Sequence, residues 1–88
     1  MNILKAYVNK QKCNIDFDSF VETNYCNIII MNKTNREIKM KDGTKVLFRV
    51  FTNAETSYYQ VAGYQFLYVD FIGDFDKDVM YYLKSRIR

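Results

Sequence analysis

The segment REIKMKDGTKVLFRVF, residues 36–51, constrains this chain more than any other, because it holds a hairpin whose register follows from residue types alone. Asp42 and Gly43 tolerate the positive φ that a tight turn demands, and a strand-like run stands on each side of them. A two-residue loop would pair Met40 with Lys45 and mix apolar and charged residues on each face. A three-residue loop with Gly43 in the left-handed conformation instead pairs Met40 with Thr44 and Ile38 with Val46. The second register gathers Ile38, Met40, Val46, Phe48 and Val50 on one side. It leaves Glu37, Lys39, Lys41, Lys45 and Arg49 on the other, beside Leu47 and Phe51. The expected hairpin therefore has one core-facing side and one basic, partly apolar side.

The other elements follow from periodicity. Ile3 to Val8 alternates as a strand, with Leu4, Ala6 and Val8 on one face and Ile3, Lys5 and Tyr7 on the other. Asp16 to Thr23 reads as a short helix capped by Asp16, with Phe17, Phe20 and Val21 at helical spacing. Tyr25 to Met31 is apolar on both faces, which predicts an interior strand, and the tract NKTN closes it as a turn. Alternation also sets Cys26 with Ile28 and Ile30 as a small buried hydrophobe.

Thr52 to Glu55 has capping-box spacing and opens a helix of about two to three turns, stopped at Gly63. Tyr64 to Ile72 is the most apolar strand, with Phe66, Tyr68, Asp70 and Ile72 on one face and Leu67, Val69 and Phe71 on the other. Both faces call for cover. From Asp74 onward acids lead and Lys84, Arg86 and Arg88 follow, the charge order a helix dipole favours, while Phe75, Val79, Leu83 and Ile87 form a stripe to pack on a sheet. The expected order is β-α-β-β-β-α-β-α. It makes one α+β domain over residues 1–88, built on a single mixed, mainly antiparallel sheet of about five strands with two or three helices.

Composition narrows function mostly by exclusion. A chain of 88 residues is one domain that buries only about 60–65% of its unfolded surface. Its 13 basic and 10 acidic residues are spread along the chain, so nucleic-acid binding is allowed rather than demanded. No apolar run approaches the roughly 18 residues of a membrane span, and MNILKAYVNKQK turns polar too early for a signal peptide, so a cytoplasmic protein is expected. Richness in Asn, Lys, Ile and Tyr fits a low-GC bacterium or its phages. Cys13 and Cys26 stand alone without histidine, which disfavours a zinc site, and a cytosolic address disfavours a disulfide. Asp74, Asp76 and Asp78 echo the start of a calcium loop, but Val79 replaces its glycine and Ser85 its last glutamate, so helix-start acids are the better account. With no histidine base for a Ser or Cys nucleophile and no paired-carboxylate motif, neither catalytic residues nor a cofactor are expected.

Residues Arg36 to Arg88 resemble the segment around the second nucleotide motif of phage terminase large-subunit ATPases. The resemblance rests on the hairpin IKMKDGTKVLF, the glycine and acid-bearing strand GYQFLYVDF, and a following helix ending in SRIR. It implies that Asp70 matches the magnesium-associated acid. Phe71, however, stands where that family has its catalytic glutamate, and nothing matches the phosphate-binding loop G-x-x-x-x-G-K-[ST], so no ATP hydrolysis is expected.

Two binding surfaces remain. Eleven of the fifteen aromatics fall between Phe48 and Tyr82, and tyrosine combines large buried area with a polar tip. Tyr58, Tyr59, Tyr81 and Tyr82 are thus the candidates for docking on a larger protein, as an inhibitor or accessory factor, with nucleic-acid-processing machinery as one such partner. The alternative is nucleic-acid binding, with Lys39, Lys41, Lys45 and Arg49 on phosphates and Phe51 or a tyrosine stacking on bases. Pairing of two copies through an exposed edge strand or a tyrosine patch is a further expectation.

Overall fold

β1 (Asn2–Tyr7) is the hub of the sheet, with neighbours on both of its edges. In the computed structural model, which describes residues 1–51, 61 and 63–87, it pairs in parallel with β4 (Lys45–Val50) on one side and β5 (Tyr68–Ile72) on the other. β3 (Glu37–Met40) lies antiparallel to β4, and β2 (Ile28–Asn32) antiparallel to β3, giving the order β2-β3-β4-β1-β5. Among the described residues, helix α1 (Lys10–Thr23), a 3-10 turn (Tyr25–Asn27) and helix α2 (Lys77–Lys84) complete an α+β fold. Among the described residues the elements follow the expected order, the helix expected between β4 and β5 lying mostly outside them. Parallel and antiparallel pairings are equally represented, a balance that alternation cannot reveal because it reports the face of a side chain and not the direction of its strand.

The hairpin adopts the three-residue register: Ile38 faces Val46, the Met40 N–H donates to the Thr44 carbonyl at 2.8 Å, and Gly43 has φ +91°. The Asp42 carboxylate accepts from the Thr44 N–H at 2.9 Å, which closes the turn and holds that carboxyl below its usual range.

Each face of the sheet carries its own core. On one, α1 covers Tyr7, Ile38, Val46 and Phe48 with Cys13 and Phe17. The Phe48 ring meets Phe17 edge-on at 5.4 Å and Phe20 at 5.6 Å, contacts worth about 0.5–1.5 kcal/mol each beyond area burial. On the other face Val79 and Leu83 of α2 pack over Leu4, Ala6, Leu47, Phe51 and Phe66.

Helix α1 begins at Lys10 rather than Asp16. Asn9 caps it by accepting from the Lys12 N–H at 3.0 Å, and fully buried Cys13, one turn before Phe17, draws the polar first half onto the sheet. Asp16 is therefore mid-helix, where it accepts from the Tyr7 hydroxyl at 2.8 Å and pairs with Lys12 at 2.9 Å. Burial, and then this carboxylate, hold the Tyr7 phenol above its ordinary range. At α2 the cap is Asp76, which accepts from the Asp78 N–H at 2.8 Å, as helix-start acids should.

The strand expected over Tyr64 to Ile72 is regular only from Tyr68, and it is an edge rather than a covered interior strand, with Tyr68 and Leu67 exposed. Phe66 makes an isolated parallel bridge to Ile87, which lies beyond the end of α2 rather than on its expected packing stripe and is 38% exposed. The helix expected from Thr52 falls mostly outside the described residues, as do Tyr58 and Tyr59. Among the described residues no helix is long and apolar enough to cross a membrane.

Candidate docking surface

The residues expected to form an interior strand form the outermost one. Among the described residues β2 pairs only with β3, so its apolar side chains meet solvent: Ile29 is 57% exposed, Ile30 58% and Met31 43%, with Tyr25 of the preceding turn at 75%. The cause is nonlocal. β2, β3 and β4 form a meander, and β4 spends its far edge on β1, leaving β2 without a second neighbour among the described residues. Hydrophobicity marks a strand as covered and cannot say what covers it.

Local geometry shapes this edge further. Residues 25–27 coil into the 3-10 turn before the strand, which carries Cys26 out into solvent and leaves Cys13 as the buried thiol, raised by that burial. The β2–β3 register shifts between Ile28 and Ile30, a bulge that leaves Ile28, Ile29 and Met31 facing the α1 side. With Val21 and Tyr25 they line an apolar groove of about 320 Å³. Ile28 and Val21 also pack on the Phe48 core, so the exposed residues stand on a fixed base.

A second groove of about 400 Å³ lies on the opposite face of the same strand, lined by Asn2, Ile30, Asn32, Glu37, Lys39 and Lys45 among others. Its chemistry centres on Glu37. One oxygen, Oε1, accepts from the Tyr64 hydroxyl at 3.0 Å and from Arg49 Nη2 at 3.1 Å, with Lys45 Nζ at 3.5 Å. Burial acts to raise this carboxyl, but the Tyr64 bond and the two cations outweigh it, and the net direction is down. Tyr64 in turn accepts from Lys45 at 3.3 Å, which raises the lysine. Lys39 and Lys45 face each other directly in the ladder.

The basic residues expected to bind nucleic acid are therefore not equally free. Lys39 and Lys41 are exposed, but Lys45 and Arg49 are engaged by Glu37. Phe51 is only 2% exposed in the α2-side core, so it has no free ring face to stack on a base, a correction to that expectation. Of the candidate tyrosines, Tyr81 is 81% exposed on α2, while Tyr82 is half-buried and its hydroxyl accepts from Arg86 at 2.8 Å. Asp70, set opposite Lys5 in the β1–β5 register, pairs with its ammonium at 2.7 Å. Both partners are partly exposed, so the pair is worth at most about 1 kcal/mol.

The apolar corner at β2 lies outside the residues expected from sequence, because a run apolar on both faces predicts a covered strand. Its available signal was positional: the short turn NKTN ties β2 to a hairpin that already has a well-defined inner strand. No protein-family model, curated protein or solved structure matches this chain.

Proposed function

We propose that this chain is a small non-enzymatic binding protein, an inhibitor or accessory factor that docks on a larger protein through the corner formed by the end of α1 and β2. The observation that carries it is the contiguity of Tyr25, Ile29 and Met31, exposed together over an apolar groove at an open sheet edge. Scattered exposed hydrophobes are normal, but contiguous ones beside unpaired strand backbone mark interaction sites. Tyr81 is more exposed, yet it is a single side chain on a solvated helix face.

Photocrosslinking in cells that naturally produce the protein tests this. A photoreactive residue at position 29 should yield one discrete protein adduct, lost on Met31→Lys, and the same residue at position 81 should yield none. An adduct from position 81 alone would move docking to α2 and overturn the assignment of the surface.

A further inference from the structure

We propose that β2 takes an extended segment of another protein as a sixth strand, and that this segment alternates apolar with acidic residues. The proposal rests on the docking function above and specifies its ligand.

The edge is suited to strand addition. β2 is last in the sheet order, so among the described residues the outer row of its backbone N–H and C=O groups has no strand beside it. Residues 23–32 contain no charge and no proline, two of the devices that keep an edge from pairing, and past the bulge between Ile28 and Ile30 the strand runs in regular register with β3 through Asn32. Main-chain bonds would supply affinity, and alternate side chains of the incoming strand would fall on opposite faces of the sheet.

Those two faces ask for different chemistry. On the α1 side an incoming side chain meets Tyr25, Ile29 and Met31, which accept only apolar groups without desolvation cost. On the other side it meets the groove beside Lys39 and Lys45. There Glu37 holds Lys45 and Arg49, while Lys39, set opposite Lys45 in the ladder, makes no ion pair among the described residues. Like charges directly opposite in a ladder destabilise it, so the Lys39–Lys45 pair is a local cost that an arriving Asp or Glu would relieve.

The test is an NMR titration of the isotopically labelled full chain with three ten-residue peptides. One alternates Val with Glu, one has the same composition in two blocks, and one alternates Val with Lys. The alternating acidic peptide should shift amides of β2 and slow their hydrogen exchange, binding about tenfold or more tighter than the other two. Lys39→Glu should reverse the order and favour the Val-Lys peptide, a gain that a misfolded variant could not show. Equal binding of all three peptides, binding by none, or shifts confined to α2 would overturn the proposal. So would protection of β2 that grows with protein concentration in the absence of peptide and resists peptide, which would make a second copy the occupant. If the peptides fail while the position-29 adduct persists, docking at this corner stands and only the strand-addition ligand is lost. If both fail, docking itself is lost.

Discussion

Tyr64 and Glu37 meet across the face of the sheet, the Tyr64 hydroxyl donating to Glu37 Oε1 at 3.0 Å. That oxygen is also held by Arg49 and Lys45, so one carboxylate ties the segment before β5 to both β3 and β4 and offsets part of the positive charge facing the second groove. Its 16% side-chain exposure leaves little solvent screening.

A definite acid response follows from this clamp. The Glu37 carboxyl is held below its usual 4.5 in the folded protein, so the unfolded chain binds more protons near that pH and acid favours unfolding. The contribution is complete above about pH 4.5 and lost as pH falls through the folded value. Glu37→Gln should cost about 1–2 kcal/mol at neutral pH and flatten the acid loss, read from urea melts across a pH series. An unchanged acid slope would show that Glu37 does not titrate with folding.

The hairpin was legible in the sequence because its determinants are local: Asp42-Gly43 fixes the turn and alternation fixes the faces. The Asp76 end of α2 was readable in the same way, from acids placed ahead of an apolar stripe. The position of β2 was not, since an edge is defined by what fails to pair, and that depends on β1 taking the far side of β4. The Glu37 cluster was visible only as a basic face, because Tyr64 reaches it from a distant segment that shares no period with the hairpin. Cys26 is exposed rather than buried as expected for a similar reason: the 3-10 turn turns it out, while docking of α1 on the sheet buries Cys13.

Two glycines separate steric from conformational cost. A Cβ on Gly73 would lie 2.4 Å from Val8 Cγ2 at φ +112°, whereas one on Gly43, at φ +91°, meets nothing within 4 Å. Gly43→Ala should cost about 1 kcal/mol from backbone strain alone, and Gly73→Ala about 2–4 kcal/mol. Adding Val8→Ala to Gly73→Ala should recover the difference relative to Val8→Ala alone. Additive losses in that cycle would remove the clash as the cause.

The two thiols should differ sharply in the native state. Cys26 is exposed, while Cys13 is fully buried with its thiol raised by burial. A thiol reagent should therefore modify one cysteine per folded molecule quickly and the second only in denaturant, with peptide mapping placing the fast label at Cys26. Fast labelling of Cys13 would contradict the packing of α1.

Substitutions on β2 distinguish an edge from an interior strand without reference to any ligand. Ile29 and Ile30 are more than half exposed, so Ile29→Lys and Ile30→Lys lose little burial and should each cost no more than about 1 kcal/mol, the span of strand propensity. Leu47 is fully buried on β4, and Leu47→Ala should cost about 2–5 kcal/mol through lost transfer energy and the cavity it leaves. Urea melts of the three variants give the comparison directly. If Ile29→Lys destabilised the fold as strongly as Leu47→Ala, the strand would be covered in the native protein and the corner would not be free to dock. A small loss there, combined with loss of the crosslinked adduct, places the cost of the substitution in binding and not in folding.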